Sequence, residues 1–264
     1  MVNSRVALIR APNPSPMTLS GTNSYVIDCG GGEAICIDPG PAIPAHVDAL
    51  LERANRIGKL SWICLTHGHP DHAPASALLH ARSGAPVAAH ERSGVAHDRT
   101  LREGDAVRAG GIALETLEAP GHSGDHLVFY ERGEDALFTG DVVLGEGYVA
   151  VLPPEGDMRA YVRTLERLIA DFPDARTIYG GHGDPVPDPA SKLRDYLEHR
   201  RSREREIVAA LSSGSQTVDE IVRLVYAHTD RKLWRAAAEQ VRAHLSALES
   251  DGLVQSRGRK YRLR

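Results

Sequence analysis

Cysteine, aromatic residues and long apolar runs are all scarce in this sequence of 264 residues. Its three cysteines, Cys29, Cys36 and Cys64, include no C-x-x-C pair, which argues against a disulfide scaffold and a cysteine-based zinc site. No run approaches the ~18 apolar residues of a membrane span. The first dozen residues also lack the apolar core of a secretion signal. We therefore expect a cytoplasmic protein with no membrane partner.

The remaining composition is that of an ordinary globular protein, with 42% hydrophobic and 25% charged residues. Charge is split along the chain. Residues 1–190 carry 15 basic and 25 acidic side chains, a net of −10, whereas residues 191–264 carry 16 and 10, a net of +6. A proline-rich connector, residues 183–189, lies at the change. The sequence predicts two domains, residues 1–185 and 186–264.

Periodicity predicts an α/β domain followed by a helical tail. Strand-like segments alternate with helix-like segments in the first part, and the last strand candidates include residues 148–152. The second part predicts three helices, residues 192–211, 218–226 and 233–248, and then a short hairpin. Three helices and a hairpin are the outline of a winged helix-turn-helix.

The most informative motif is the segment Thr66–His72, with the sequence T-H-G-H-P-D-H. It follows the apolar run of residues 60–65, so its side chains are expected at the carboxyl end of a strand, where α/β sheets place their sites. His67, His69, Asp71 and His72 supply four metal-competent side chains within six residues. Imidazole and carboxylate ligands together suit zinc, iron or manganese.

Three further segments place a histidine or an aspartate beside glycines at a strand end. They are P-G-H at residues 120–122, G-D at residues 140–141 and G-H-G at residues 181–183. Glycine permits close approach of the backbone at such positions. The three segments add His122, Asp141 and His182 to the candidate ligands.

The order H-x-H-x-D-H, P-G-H, G-D and G-H-G is similar to the metallo-β-lactamase superfamily. The resemblance implies an αββα sandwich, here followed by a winged helix, with a centre of two zinc ions per chain; iron or manganese would also be compatible. It implies that His67, His69 and His122 bind one metal, that Asp71, His72 and His182 bind the other, and that Asp141 bridges them. Asp38 matches an early aspartate that orients a ligand, and His126 is expected to support a ligand or to pack on a strand.

The implied reaction is hydrolysis by a metal-bridging hydroxide. Two cations about 4 Å apart bring the pKa of a shared water close to ~7 and polarise the attacked carbonyl or phosphoryl oxygen. The catalytic residues are then Asp71, as proton acceptor and ligand, and His72. True β-lactamases of this superfamily have Cys or Ser at the position of Asp141, so β-lactam hydrolysis is expected to be weak at most.

A narrower resemblance, to the β-lactamase-like protein 2 family, covers nearly the whole chain. It is carried by residues 13–25, residues 140–147 and the segment Y-L-E-H-R at 196–200. Members of that family include an endoribonuclease for single-stranded RNA and thioesterases that release polyketides from carrier proteins. The resemblance therefore implies either a small acyl substrate or single-stranded RNA.

Three further residues, Thr22, Asn23 and Glu146, are candidates for substrate contact, with turn formation as the alternative for Thr22 and Asn23. The tail is basic, so it is expected either to contact RNA or to present a solvated face while packing beside the catalytic domain. A different class of function, a nucleic-acid-binding regulator whose metal domain senses a ligand, is the alternative. The sequence specifies no oligomeric state.

Overall fold

The computed structural model describes residues 5–214 and 216–264, which form two compact units. The first unit contains the chain up to Ala119 together with Asp125–Tyr148 and Asp174–Ala190. The second contains Pro120–Gly124, Val149–Pro173 and Ser191–Arg264. No helix in the described part of the chain is both long and apolar enough to cross a membrane.

A six-stranded sheet opens the first unit. Its strands, in spatial order, are β1 (Val6–Arg10), β2 (Asn23–Asp28), β3 (Glu33–Ile37), β4 (Lys59–Cys64), β5 (Val87–His90) and β6 (Arg99–Leu101). The first three pair antiparallel and the others parallel. The turn between β2 and β3 contains the three consecutive glycines Gly30–Gly32, all of which have positive φ.

Two helices, α1 (Pro44–Ile57) and α2 (Ala75–Ser83), pack against this sheet. Proline in the first turn starts α1, where its missing N–H costs nothing, and Gly58 ends it. Val47 and Leu50 of α1 and Leu79 of α2 are buried in one cluster with alternate residues of the sheet. This apolar face fixes the helices beside the sheet, while the loops after β3 and β4 stay at the sheet edge.

The second sheet has five strands. They are, in spatial order, β11 (Thr177–Gly180), β10 (Ala136–Gly140), β9 (Leu127–Glu131), β8 (Ile112–Glu118) and β7 (Ala106–Ala109). Side chains from both sheets, including Ile35, Ile37, Leu114, Phe129 and Phe138, share one core. β10 and β11 are parallel, so both end at the same edge, which is where Asp141 and His182 follow.

The second unit contains α3 (Met158–Asp171) and the tail. The tail elements are α4 (Pro189–Leu211, entering from the first unit), β12 (Gln216–Thr217), α5 (Val218–Val225), α6 (Trp234–Ser250), β13 (Val254–Arg257) and β14 (Lys260–Leu263). Thr217 and Glu220 form a capping box that starts α5. Ile207, Ile221, Val241 and Leu245 lie in a core of their own. The predicted helices and hairpin of the tail are therefore confirmed.

The strand predicted over residues 148–152 is wrong, because the segment is irregular. Its carbonyl oxygens accept hydrogen bonds from side chains instead of a neighbouring strand. The helix Ala75–Ser83 was not anticipated. The domain boundary at residue 185/186 stays a prediction, and the contacts group α3 with the tail.

Candidate metal centre

Asp38 organises the edge of the first sheet. It follows β3 with a φ of 49°, and its carboxylate accepts hydrogen bonds from the backbone N–H and the hydroxyl of Thr66, both at 2.7 Å. The same carboxylate accepts a hydrogen bond from Nδ1 of His72 at 2.9 Å. One aspartate therefore fixes both ends of the H-x-H-x-D-H loop, as a residue that supports a metal ligand would.

Nδ1 of His72 donates a hydrogen bond to Asp38, so in the neutral imidazole Nε2 carries no proton. Nε2 faces the carboxyl groups of Asp71 and Asp141. This buried nitrogen has no hydrogen-bond partner within the described residues. It lies 3.4 Å from Oδ1 of Asp141 and 3.5 Å from Oδ2 of Asp71. A buried acceptor without a donor is costly unless something else binds it. A cation placed among these atoms would satisfy the nitrogen and both carboxylates.

His182, which comes from the second sheet, is held in the same way as His72. It follows β11, and its Nδ1 donates a hydrogen bond to the carbonyl oxygen of Gly21 at 3.3 Å. Its Nε2 lies 3.2 Å from Oδ2 of Asp71 and 3.5 Å from Oδ1 of Asp141. The ligand atoms of Asp71, His72 and His182 all lie within 4.8 Å of one another, a group able to hold one ion.

His67 and His69 form a second nitrogen pair at the same loop. The hydroxyl of Thr66 donates to Asp38, so it accepts from Nδ1 of His67 at 3.0 Å, and Nε2 is the nitrogen that His67 presents. That Nε2 lies 3.0 Å from Nδ1 of His69. Asp38, His67 and His72 also form a group with ligand atoms within 4.8 Å. Each of these positions is suited to a divalent cation.

Glycines line the pocket because no side chain fits there. A Cβ on Gly181 would lie 2.3 Å from Oδ1 of Asp141 and 2.7 Å from Cε1 of His72. Gly140, at a φ of 46°, would place a Cβ 2.4 Å from Oγ1 of Thr66. Both positions border candidate ligands, so the glycines of the G-D and G-H-G segments are required by close packing.

The acids and imidazoles strongly shift one another's pKa. Burial lowers the pKa of His72, but the negative charge of Asp141 raises it, and the net pKa is well above its ordinary value. Burial likewise lowers the pKa of His182, while hydrogen bonds to Asp141 and Asp71 raise it to about 9. Burial raises the pKa of Asp141, but the charge of His72 lowers it well below the usual range. The carboxylates thus stay ionised and attract cations, either protons or a metal.

Comparison with known proteins shows the family of this chain. Residues 17–209 match the model of the metallo-β-lactamase superfamily, and residues 217–262 match the β-lactamase-associated winged helix domain. The chain belongs to the metallo-β-lactamase superfamily. It is a hydrolase of this superfamily, with the sandwich fold and the winged helix that the sequence predicted.

Similar sequences cover almost the whole protein. A β-lactamase-like protein 2 homolog of Drosophila melanogaster is 32% identical, over 95% of this chain and 90% of its own. Atrochrysone carboxyl ACP thioesterase AgnL7 of Paecilomyces divaricatus is 31% identical, over 98% and 84%.

Solved structures agree on the fold. A metallo-β-lactamase family protein of Thermus thermophilus has a TM-score of 0.81 at 25% identity, over 98% of this chain and 99% of its own. A β-lactamase domain protein of Burkholderia ambifaria has a TM-score of 0.84 at 21% identity, over 100% and 93%.

His126 contacts two of the candidate ligands. Its Nε2 accepts a hydrogen bond from the backbone N–H of Asp141 at 3.1 Å, and its ring stacks on His67 with centroids 4.6 Å apart. Asp125 was missed in the sequence, although it belongs to the same motif as His122. It is buried and accepts a hydrogen bond from the backbone N–H of Gly68 at 2.8 Å. Thr66 was also missed, and its position directly before the first histidine was the available signal.

The candidate substrate residues are placed differently from one another. Thr22 is buried, and its hydroxyl donates a hydrogen bond to Oδ2 of Asp71 at 3.4 Å. Asn23 is also buried, and its amide donates to the carbonyl oxygens of Gly180 and Gly183, so its described contacts are structural. Glu146 is exposed. Substrate contact by these three residues stays a prediction.

His122 lies in the second unit, in the loop Pro120–Gly124. Its Nδ1 donates a hydrogen bond to the carbonyl oxygen of Ala150 at 2.8 Å. Because a carbonyl oxygen only accepts, the proton is on Nδ1 and the nitrogen that His122 presents is Nε2. This is the orientation found for His67, His72 and His182, and it suits the role of ligand that the superfamily motif implies.

Proposed function

We propose that the protein is a dinuclear zinc-dependent hydrolase that cleaves thioesters or carboxylic esters. The observation that carries the proposal is His72, whose Nδ1 is held by Asp38 while its buried Nε2 faces the carboxylates of Asp71 and Asp141. A buried imidazole held in this way by a carboxylate is the arrangement of a zinc ligand.

The proposed ligands follow the two groups of side chains. One metal would be held by His67, His69 and His122, the last from the sequence motif, and the other by Asp71, His72 and His182. Asp141, whose Oδ1 lies within 3.5 Å of Nε2 of both His72 and His182, would be the shared ligand that the superfamily motif implies. Iron or manganese would accept the same donors.

When bound, the two metal ions would activate a water and polarise the scissile carbonyl group. Asp71 is the acid placed to accept the proton. Its side chain is 27% exposed, compared with 11% for Asp141, so it can exchange protons with solvent. The hydroxyl of Thr22 donates a hydrogen bond to Oδ2 of Asp71 at 3.4 Å. Asp38 and His126 would each orient a ligand, Asp38 through its hydrogen bond with His72 and His126 through its ring, which stacks on His67.

Charge supports an acyl substrate over RNA. Residues 1–190, which include all seven proposed ligands, carry a net charge of −10, and such a surface does not attract phosphodiesters. Two similar proteins, one from Paecilomyces divaricatus and one from Aspergillus chevalieri, are named atrochrysone carboxyl ACP thioesterases. We therefore propose an acyl thioester or ester as the substrate, with single-stranded RNA cleavage as the contrary outcome of the test.

The metal centre is tested with His69→Ala and Asp141→Ala. We expect each variant to lose turnover by at least 100-fold and to bind less than two metal ions per chain by elemental analysis, since each removes a ligand. His228→Ala, a change at an exposed histidine in the tail, is the matched control and should keep both. Full activity and full metal content in either ligand variant would refute the assigned centre.

The substrate class is tested by assaying the metal-loaded protein on S-acyl compounds, esters, β-lactams and single-stranded RNA at two salt concentrations. We expect saturable hydrolysis of the acyl compounds with little salt dependence, and weak lactam hydrolysis at most. RNA cleavage that falls steeply with salt, without acyl turnover, would replace the ester proposal with a nuclease.

A further inference from the structure

Three consecutive carbonyl oxygens in the irregular segment 149–151 each accept a hydrogen bond from a side chain. Arg200 donates to Val149, Nδ1 of His122 donates to Ala150 at 2.8 Å, and Nε2 of Gln240 donates to Val151 at 3.0 Å. Arg200 belongs to α4 and Gln240 to α6. Side chains of two tail helices therefore bind the carbonyl groups of Val149 and Val151, on either side of the Ala150 carbonyl group that His122 binds.

The two tail side chains also bind each other. A guanidinium nitrogen of Arg200 donates a hydrogen bond to Oε1 of Gln240 at 3.2 Å. Arg200 is only 3% exposed, and two of its three guanidinium nitrogens, Nη1 and Nη2, donate hydrogen bonds, while Nε has no hydrogen-bond partner within the described residues. The pair therefore forms a connected polar network whose targets are backbone carbonyl groups, which have fixed positions.

The same guanidinium also reaches the histidine loop, defined as Pro120–Gly124, which carries His122. Its carbon lies 5.1 Å from the ring centroid of Tyr161, which is fully buried. The backbone of Tyr161 packs so closely on Gly121 that a Cβ on this glycine would lie 2.3 Å from Cα of Tyr161. Gly121 directly precedes His122. The carbonyl oxygen of Gly121 accepts a hydrogen bond from the backbone N–H of Asp157 at 2.9 Å. The loop and segment 149–151 are thus both held by contacts that involve Arg200.

We propose that Arg200 and Gln240 are positioning residues for His122, acting through the carbonyl group of Ala150. By fixing segment 149–151, they hold the carbonyl oxygen that keeps the proton on Nδ1 of His122 and leaves Nε2 to bind metal. The inference rests on the proposed role of His122 as a ligand. It assigns the winged-helix tail a task in building the metal centre, with no nucleic acid required.

The test compares Arg200→Met and Gln240→Ala in the full-length protein with neighbouring control variants. Arg201→Met changes an exposed arginine that pairs with Glu166, and Glu239→Ala changes a partly exposed acid that pairs with Arg242. Zinc affinity is measured by competition with a chelator, and thermal unfolding checks folding. We expect a 10- to 100-fold weaker affinity for one of the two zinc ions in both test variants, and no change in the controls.

A second readout follows the imidazole itself. In metal-free protein labelled with ¹⁵N-histidine, we expect the share of His122 protonated on Nδ1 to fall in Gln240→Ala and to stay unchanged in Glu239→Ala. If Arg200→Met does not fold, Gln240→Ala alone decides. Wild-type zinc affinity and an unchanged His122 tautomer in Gln240→Ala would overturn the inference.

The variant His122→Ala separates this inference from the proposed function. Weaker zinc binding in His122→Ala, with no change in Gln240→Ala, would reject the positioning role and leave the proposed ligands in place. Undiminished zinc binding in His122→Ala would instead reject His122 as a ligand, and with it both proposals for this residue.

Discussion

At the scale of single residues, four of the proposed ligands are histidines whose Nδ1 atoms are hydrogen-bonded. His67, His72, His122 and His182 each bind an oxygen through Nδ1, so each presents Nε2. The oxygens come from a hydroxyl, a carboxylate and two carbonyl groups. Because the Nδ1 hydrogen bond fixes the orientation of each ring before any ion arrives, less reorganisation accompanies metal binding.

Asp38→Asn tests this preorganisation. An amide cannot accept the three hydrogen bonds that Asp38 accepts from Thr66 and His72, so we expect zinc affinity to fall about 10- to 100-fold. Asp135→Asn is a matched control, because Asp135 also has a positive φ, of 51°, but contacts Tyr130 and Arg176. Equal zinc affinity in the two variants, by chelator competition, would contradict the role of Asp38.

His46 predicts a pH dependence of stability. Burial lowers its pKa from 6.5 to about 4, and a hydrogen bond with Pro39 offsets part of this shift. As the pH falls below about 6.5, the unfolded chain takes up a proton that the folded chain excludes until about pH 4. The difference amounts to at most about 3 kcal/mol of stability lost across that range.

Urea unfolding of the metal-free protein between pH 4 and pH 7 measures this effect. His46→Gln removes the titrating group, and we expect its stability to decline less steeply with falling pH than that of the wild type. Below pH 6.5, the difference between the slopes of unfolding free energy against pH should approach the value for one bound proton. Parallel curves for the two proteins would show that His46 does not control the decline.

At the scale of secondary-structure elements, the site consists of strand ends. The loops after β3, β4, β10 and β11 meet at one edge of the two sheets, and glycine occurs where two of these loops touch. The alternation of apolar runs and glycines made these strand ends predictable from the sequence. The segment 148–152 looked the same in the sequence but is irregular, since its carbonyl groups bind side chains that are distant in sequence.

Gly181→Ala tests the close packing at the end of β11. The added methyl group would overlap Asp141 and His72, so we expect loss of metal from the site and at least 10-fold lower activity, with the rest of the sheet folded. Gly111→Ala adds the same methyl group 3.7 Å from the nearest neighbour, the carbonyl oxygen of Cys29, and should behave as wild type. Full metal content in Gly181→Ala, by elemental analysis, would contradict this packing.

At the scale of the whole molecule, the two units do not follow the order of the chain. The second unit combines the tail with α3 and the histidine loop, and its parts are joined by ion pairs of Arg159 with Glu204 and Asp251. The sequence predicted the folds of both regions from periodicity and motifs. It did not predict that residues 149–173 would group with the tail, because this depends on contacts between distant segments.

Ending the chain after Ala190 should therefore damage more than the tail. Residues 149–173 would lose Arg200, Gln240 and the partners of Arg159, and we expect their backbone amides to lose most of their protection from hydrogen exchange. The amides of β8 and β9 in the first unit are the internal control and should stay protected. Wild-type protection of residues 149–173 in the truncated protein would show that the tail does not support them.

The interleaving of the units has a consequence for protein engineering. A chimera joined at the proline-rich connector would pair an α3 and a histidine loop from one parent with a winged helix from the other. Arg200 and Gln240 would then face the backbone carbonyl groups of a segment 149–151 that comes from the other parent. Exchange of the C-terminal region between relatives should succeed only when residues 120–124 and 149–173 are transferred with it.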